Sequence, residues 1–310
     1  MPYVEKRHVD DFVHWSSEQL FGRTVLALTG NSLHNVRLSQ GNGLPAAAAR
    51  PPMFIGASST EEITSASSAV VIDLASEGVL YAKNADQPGP IASITKLVTA
   101  MVFLDHNPGW EKVYKMKASD RREGGKIYLF EGERVRVRDL FHLSLVASGN
   151  SETVALANST GLTEQEFVAA MNEKMRDLGL EHSVFYDEVG LNDLNSSTAK
   201  EVALMAKTAL GQKDIMDATL TEASQIKTLG GRVVKFESTD DLLARDLTGG
   251  LSLLGGKTGH TNSAGYCFVG KFANQDRKMV ISVVLGADSD ASRFTETHNL
   301  VGWTYANYGW

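Results

Sequence analysis

The β-rich segments of this 310-residue chain fall at its two ends, and the long stretch between them carries helical periodicity. Residues 69–74 and 79–83 are short β-rich runs around Ala75-Ser76-Glu77-Gly78, which reads as a hairpin. Residues 265–272 and 278–285 form a second pair, joined by a polar turn at 273–277. Between the pairs, Ile94, Leu97, Val98, Met101 and Leu104 recur at helical spacing and predict a buried helix over 93–105. Further helices are expected over 139–148, 151–157, 164–179 (with Gly179 as its stop) and 198–210, and a closing helix over 294–308. Strands from both ends can share one sheet only if the ends meet. The expected fold class is therefore α+β: an antiparallel sheet built from both termini, flanked by helices, with a helical lobe.

Composition narrows the function classes. Hydrophobic residues make up 43% and charged residues 22%, as in an ordinary globular chain. The net charge of -7 and the lack of a Lys/Arg run disfavour nucleic acid as a partner. Cys267 is the one cysteine, so neither an intrachain disulfide nor a cysteine metal site is available, and no HExxH occurs among the eight histidines. The reading expects no metal and no cofactor. No stretch reaches the roughly 18–20 apolar residues of a membrane helix. The N-terminus carries Lys6 and Arg7, but the run Val25-Leu26-Ala27-Leu28 is too short for a signal peptide.

Residues 1–60 read differently from the rest. Gly41-Asn42-Gly43, the alanines 46–49, Pro51-Pro52 and Ser58-Ser59-Thr60 suggest an arm or linker with at most one short helix over 8–21. Residues 61–310 are expected to form the working domain.

Three strings then stand in order: Ser93-Ile94-Thr95-Lys96, Ser148-Gly149-Asn150 and Lys257-Thr258-Gly259. Residues three apart share a helix face, so the Lys96 amine can reach the Ser93 hydroxyl. As a base it must be neutral, which requires burial and nearby positive charge, with Lys257 as the obvious neighbour. Ser148 can pass a proton to a leaving amine, and Asn150 can hold Lys96 or a substrate amide. On an edge strand, Lys257 and Thr258 offer an ammonium and a hydroxyl to a carboxylate, and an extended peptide can lie alongside. The backbone N–H groups of Ser93 and His260 are candidates for an oxyanion hole. Each string alone is a common pattern. Their conjunction points to acyl transfer through Ser93, with Lys96 and Ser148 catalytic and Asn150, Lys257, Thr258, Gly259 and His260 binding substrate.

The constellation resembles that of the serine penicillin-recognising enzymes, and the wider sequence from about Ser65 to Tyr308 resembles the D-alanyl-D-alanine carboxypeptidases, the low-molecular-mass penicillin-binding proteins. The resemblance rests on Pro90-Ile91-Ala92-Ser93-Ile94-Thr95-Lys96, on Met171-Asn172, Leu178-Gly179-Leu180, Gly190-Leu191 and Ser197-Thr198-Ala199, and on Lys257-Thr258-Gly259-His260-Thr261 with Ala264-Gly265-Tyr266-Cys267. It implies a β-lactamase/transpeptidase-like fold with a five-stranded sheet. It also implies acylation of Ser93 by peptidoglycan stem peptides and by β-lactam antibiotics, and a periplasmic or otherwise extracytoplasmic address, with the leader expected to have been removed. Cys267 is then a buried strand residue. The chain resembles the short members without a C-terminal β-domain, which include D,D-endopeptidases.

Two alternatives compete. A class A-like serine β-lactamase shares the strings and adds a Glu-x-x-Leu-Asn loop, which Glu188-Val189-Gly190-Leu191-Asn192 fits. A non-catalytic wall-binding protein would keep the site as a relict.

Overall fold

The computed structural model describes residues 26–29, 32–35, 50–56, 63–245 and 247–310. The chain divides into two units, residues 1–48 and 49–310. In the first, Leu26–Thr29 and Ser32–Asn35 pair as an antiparallel hairpin, which the sequence reading did not anticipate. The short helix expected over 8–21 lies outside the described residues.

The second unit is built on five strands: β1 (Ser68–Asp73), β2 (Val79–Lys83), β3 (Ser252–Thr261), β4 (Gly265–Ala273) and β5 (Met279–Ala287). Their order across the sheet is β3-β4-β5-β1-β2, every pair antiparallel. The N-terminal hairpin thus joins the C-terminal strands through β5 and β1, where Val283 faces Val70 and Ile281 faces Ile72. The two chain ends meet as expected, and β3 is left on an edge.

Every residue of β1 is buried because both faces of the sheet are covered. The period of two sorts its side chains. Val70 and Ile72 join Ile281, Val283 and Val269 in a large core shared with the helical lobe. Ala69 and Val71 join Val280, Val284, Phe268 and Phe272 in a smaller core. The smaller core is closed by Phe294, Leu300 and Val301 of the final helix. Met53–Phe54 also pairs with Tyr308–Gly309, so part of the segment before residue 60 is tied to this unit.

The helices are α1 (Lys96–Asp105), α2 (Val137–Leu145), α3 (Asn150–Ser159), α4 (Glu164–Asp177), α5 (Ala199–Ala209), α6 (Lys213–Thr219) and α7 (Asp290–Asn307). α1 is apolar around most of its circumference and is buried from Lys96 to Phe103, as befits a helix packed against α2 to α6. α5 covers one sheet face and α7 the other. Thr163 and Thr198 cap α4 and α5 by accepting the backbone N–H groups of Glu166 and Glu201. Gly179, at φ +72°, ends α4 as expected. A further hairpin, Ala223–Lys227 with Val233–Glu237, was not foreseen. It leads the chain from the helical lobe to β3. Among the described residues no helix is long and apolar enough to cross a membrane.

Candidate active site

Ser93 sits in a 3-10 turn, Ala92–Thr95, that runs directly into α1. A 3-10 turn has about three residues per turn, so Ser93 and Lys96 line up one above the other. The Lys96 Nζ lies 2.6 Å from Ser93 Oγ, 3.0 Å from Asn150 Oδ1 and 2.9 Å from the Val189 carbonyl. Its side chain is fully buried, at 0% exposure. Burial lowers this amine from 10.5 to about 7, against the opposing pull of Asp187, Glu152 and Glu188. The sequence reading gave part of that lowering to Lys257. Desolvation is the largest cause of the lowering, the neighbouring carboxylates oppose it, and the repulsion between the two lysines acts at Lys257 as well.

Ser148 and Asn150 flank the start of α3. The spacing places both side chains in the site, but on different lysines. Asn150 Oδ1 accepts from Lys96, whereas Ser148 Oγ accepts from Lys257 Nζ at 3.0 Å. Asn150 Nδ2 also donates to the Glu123 carbonyl at 3.2 Å, fixing its amide. Ser148 (φ +54°) and Ala92 (φ +48°) are held in the left-handed region without being glycine. Such conformations cost on the order of 1–3 kcal/mol and concentrate where a site imposes them.

Lys257, Thr258 and Gly259 lie on β3, the edge strand, as expected. Lys257 is 1% exposed, and its ammonium reaches Ser148 and the Thr258 carbonyl at 3.0 Å each. Burial holds it well below 10.5, helped by Lys96 and Arg293 and resisted by Asp240. Thr258 and Thr239 share a hydroxyl contact of 2.5 Å. Gly259 is needed for close approach. A Cβ there would stand 2.8 Å from the Ile91 carbonyl and 3.2 Å from Ser93 N. His260 is exposed and stacks on Tyr266, with ring centroids 4.1 Å apart.

The structure adds residues that were not among the expected site residues, although Gly190 was noted as part of the resemblance. Gly190 passes so close to the nucleophile turn that a Cβ would lie 2.0 Å from the Ala92 carbonyl. Asp187 holds that loop by accepting the N–H groups of Val189, Gly190 and Asn192 at 2.8, 2.5 and 2.6 Å. Arg293, buried on α7, donates to the Gly259 carbonyl at 3.1 Å and pairs with Asp290. Asp240 is 5% exposed. Its Oδ1 accepts from Leu242 N, but among the described residues its Oδ2 has no hydrogen-bond partner, and it lies where a Gly256 Cβ would be 2.9 Å away. Burial raises it from 3.8 to about 7.

Glu188, the residue that suggested a β-lactamase, turns elsewhere. It lines a pocket of about 130 Å³ with Ser119, Arg122, Asn158 and Phe167, and Ser93, Ser148 and Thr258 are not in its walls. Cys267 is fully buried in β4, where burial pushes its thiol up to about 11, far from nucleophilic character.

A hydroxyl bonded to one buried lysine, a second hydroxyl bonded to another, and an open strand edge are the parts of an acyl-transfer site. Comparison with known proteins agrees. The sequence is 32% identical over 264 residues to a D-alanyl-D-alanine endopeptidase of Pseudomonas aeruginosa, covering 83% of each chain. It is 29% identical over 259 residues to a D-alanyl-D-alanine carboxypeptidase of Bacillus subtilis, covering 82% of this chain but 65% of that longer protein. The fold superposes on penicillin-binding protein D2 of Listeria monocytogenes, solved in a cefotaxime-bound form, with a TM-score of 0.67 at 31% identity, covering 78% of this chain and 98% of that one. Residues 56–289 match the D-alanyl-D-alanine carboxypeptidase family, and the chain belongs to that family.

Proposed function

We propose that this chain is a serine D,D-peptidase of peptidoglycan stem peptides, acting outside the cytoplasmic membrane and inhibited covalently by β-lactams. The observation that carries the reading is the 2.6 Å contact between Ser93 Oγ and a fully buried Lys96 amine whose ordinary value has fallen to about 7. A lysine of that kind is neutral in about half of the molecules near neutrality and can act as a base.

Ser93 Oγ attacks the carbonyl of the penultimate D-alanine and its proton passes to Lys96. The oxyanion is held by the N–H groups of Ser93 and His260, brought together by the close approach at Gly259. The C–N bond then breaks, and the leaving amine takes a proton through Ser148, which Lys257 orients. Lys257 and Thr258 hold the terminal carboxylate, Gly259 leaves the strand close enough to the nucleophile, and Asn150 keeps Lys96 in line. Water then releases the acyl group from Ser93. Residues 61–310 supply the catalytic domain in this reading, with 1–60 as an arm or linker.

Penicillin stands in for the peptide, because its lactam carbonyl acylates the same hydroxyl. Intact mass after incubation with benzylpenicillin should show one adduct, mapped to the peptide containing Ser93 and absent in Ser93→Ala. An adduct elsewhere, or none, would defeat the assignment. Adduct lifetime separates the peptidase from a β-lactamase, which would release the drug rapidly in a manner dependent on Glu188.

A further inference from the structure

Beneath the edge strand lies a carboxyl group that the acyl-transfer step does not use. Asp240 follows Thr239, whose hydroxyl contacts that of Thr258, and its side chain lies against Gly256, the residue before Lys257. The glycine is what admits it. A Cβ at Gly256 would stand 2.9 Å from Asp240 Oδ2 and 2.8 Å from the Phe268 ring. The Asp240 side chain is buried, and among the described residues its Oδ2 accepts no hydrogen bond. A buried oxygen without a donor is costly as part of an anion and tolerable as part of a protonated acid.

The charged groups that act on Asp240 come from its own segment and from two neighbouring elements. Lys257 on β3 and Arg293 on α7 favour its anion, and Asp241 beside it opposes the anion. Asp241 pairs with Arg245 at 3.6 Å, and Arg293 pairs with Asp290, so each of these has an opposite charge of its own. Among the described residues Lys257 forms no ion pair, and Asp240 is the carboxylate that acts on it. A substrate carboxylate arriving at Lys257 therefore meets an acid already competing for the same ammonium. Two like charges at one site repel, which raises the proton affinity of the group that can take a proton. We propose that Asp240 is a positioning residue acting through Lys257: protonated, it leaves the ammonium to the substrate carboxylate, and ionised, it competes for that ammonium, so that recognition of a free carboxylate weakens as the acid loses its proton. The proposal rests on the reading above that Lys257 holds the substrate carboxylate. By reciprocity, a carboxylate bound at Lys257 makes Asp240 hold its proton more tightly. Asp240 gives up its proton near pH 7, so the change falls between pH 6 and pH 8.

The test uses the full chain with benzylpenicillin and with the same compound whose carboxylate is made a carboxamide. Intact mass gives the second-order rate constant for acylation of Ser93 by each, at pH 6 and at pH 8. The acid-to-amide ratio of these constants cancels the ionisation of Lys96, which both compounds need. In the unaltered enzyme that ratio should fall about five- to tenfold from pH 6 to pH 8, the change that a rise of one to two units in the proton affinity of Asp240 produces. Asp240→Asn carries a side chain that stays uncharged, and its ratio at pH 8 should equal its ratio at pH 6. Asp240→Ala asks the same question should the asparagine amide not be accommodated. A ratio that does not change with pH in the unaltered enzyme would overturn the proposal. So would a ratio that falls equally with pH in Asp240→Asn, which would assign the titration to Lys257 itself. A ratio lowered alike at both pH values in the variant would reduce Asp240 to a structural part and overturn it too. An unaltered enzyme that prefers the acid to the amide at neither pH would bring down the assignment of Lys257 as the carboxylate holder, and failure of either compound to acylate Ser93 would bring down the parent reading.

Discussion

Two lysines face each other across this site, both almost wholly buried, and their surroundings differ in sign. Lys96 belongs to the helical lobe, with Asp187, Glu152 and Glu188 nearby and an amide and a carbonyl oxygen as partners. Lys257 belongs to the sheet, where Lys96 and Arg293 repel its charge and one carboxylate, Asp240, opposes them. Burial alone would unseat the proton from either amine. Neighbours decide which pocket tolerates a charge and which calls for one. The carboxylates around Lys96 moderate its fall to about 7, a value suited to a base. In the proposed function the pocket of Lys257, with one carboxylate against two cations, is the one suited to a substrate carboxylate.

Removing each amine tests this division most severely. Lys96→Ala should cost on the order of 10²–10⁴ in kcat/KM on every substrate, whatever its terminus, because a general base is lost. Lys257→Ala should cost roughly 10–100-fold on carboxylate-terminated peptides, the worth of a charge-assisted hydrogen bond, and less on the amidated peptides. Acylation rates measured with a matched acid and amide pair give both numbers. Equal losses on acid and amide for Lys257→Ala would erase the distinction between the pockets.

A smaller effect tests the sheet side through stability. Asp240 keeps its proton to about 7 in the fold, and its ordinary value is 3.8. Stability tied to this group is therefore whole below 3.8 and is lost as pH climbs through 7, since only the unfolded chain ionises it readily in between. Asp240→Asn should be more stable than the parent by about 1–3 kcal/mol at pH 8, with the gap closing toward pH 4. Denaturant melts at pH 4, 6 and 8 measure it. A gap that does not vary with pH would mean that Lys257 and Arg293 already compensate the unpartnered oxygen.

What the sequence made legible follows the same division. The sheet from both chain ends was readable because β1, β4 and β5 are continuous β-rich runs, and α1 because its apolar residues recur. The three strings were readable because Ser93 with Lys96, and Ser148 with Asn150, are local in sequence. The rest of the site was silent because it is made by distant backbone. The Val189 carbonyl on Lys96 carries no side-chain signal. Arg293 sits in a helix whose polar and apolar residues alternate too irregularly to mark it as buried. Gly190, at φ +88°, appeared only as part of Gly190-Leu191, and nothing local shows that the Ala92 carbonyl crowds it. The hairpin over 223–237 alternates as a strand should, its Val234 and Phe236 buried between exposed residues, and was legible in principle.

The finest test asks how independent the two pockets are. The rate of acylation should rise with pH through a limb near 7, because Lys96 must lose its proton before it can accept one from Ser93. The limb should level off well below 10.5, the ordinary value. If burial sets Lys96, then Lys257→Ala, which removes a cation across the site, should leave the limb where it is or raise it by less than about one unit. The amplitude would fall while the midpoint held. A midpoint displaced upward by two units or more would show that repulsion between the amines, rather than desolvation, holds Lys96 neutral. The lysines would then titrate as one coupled pair, and the base and the carboxylate clamp would be two states of a single device. Penicillin acylation followed from pH 5 to 10 in the two proteins distinguishes these cases, because the midpoint reports the base and the amplitude reports the clamp.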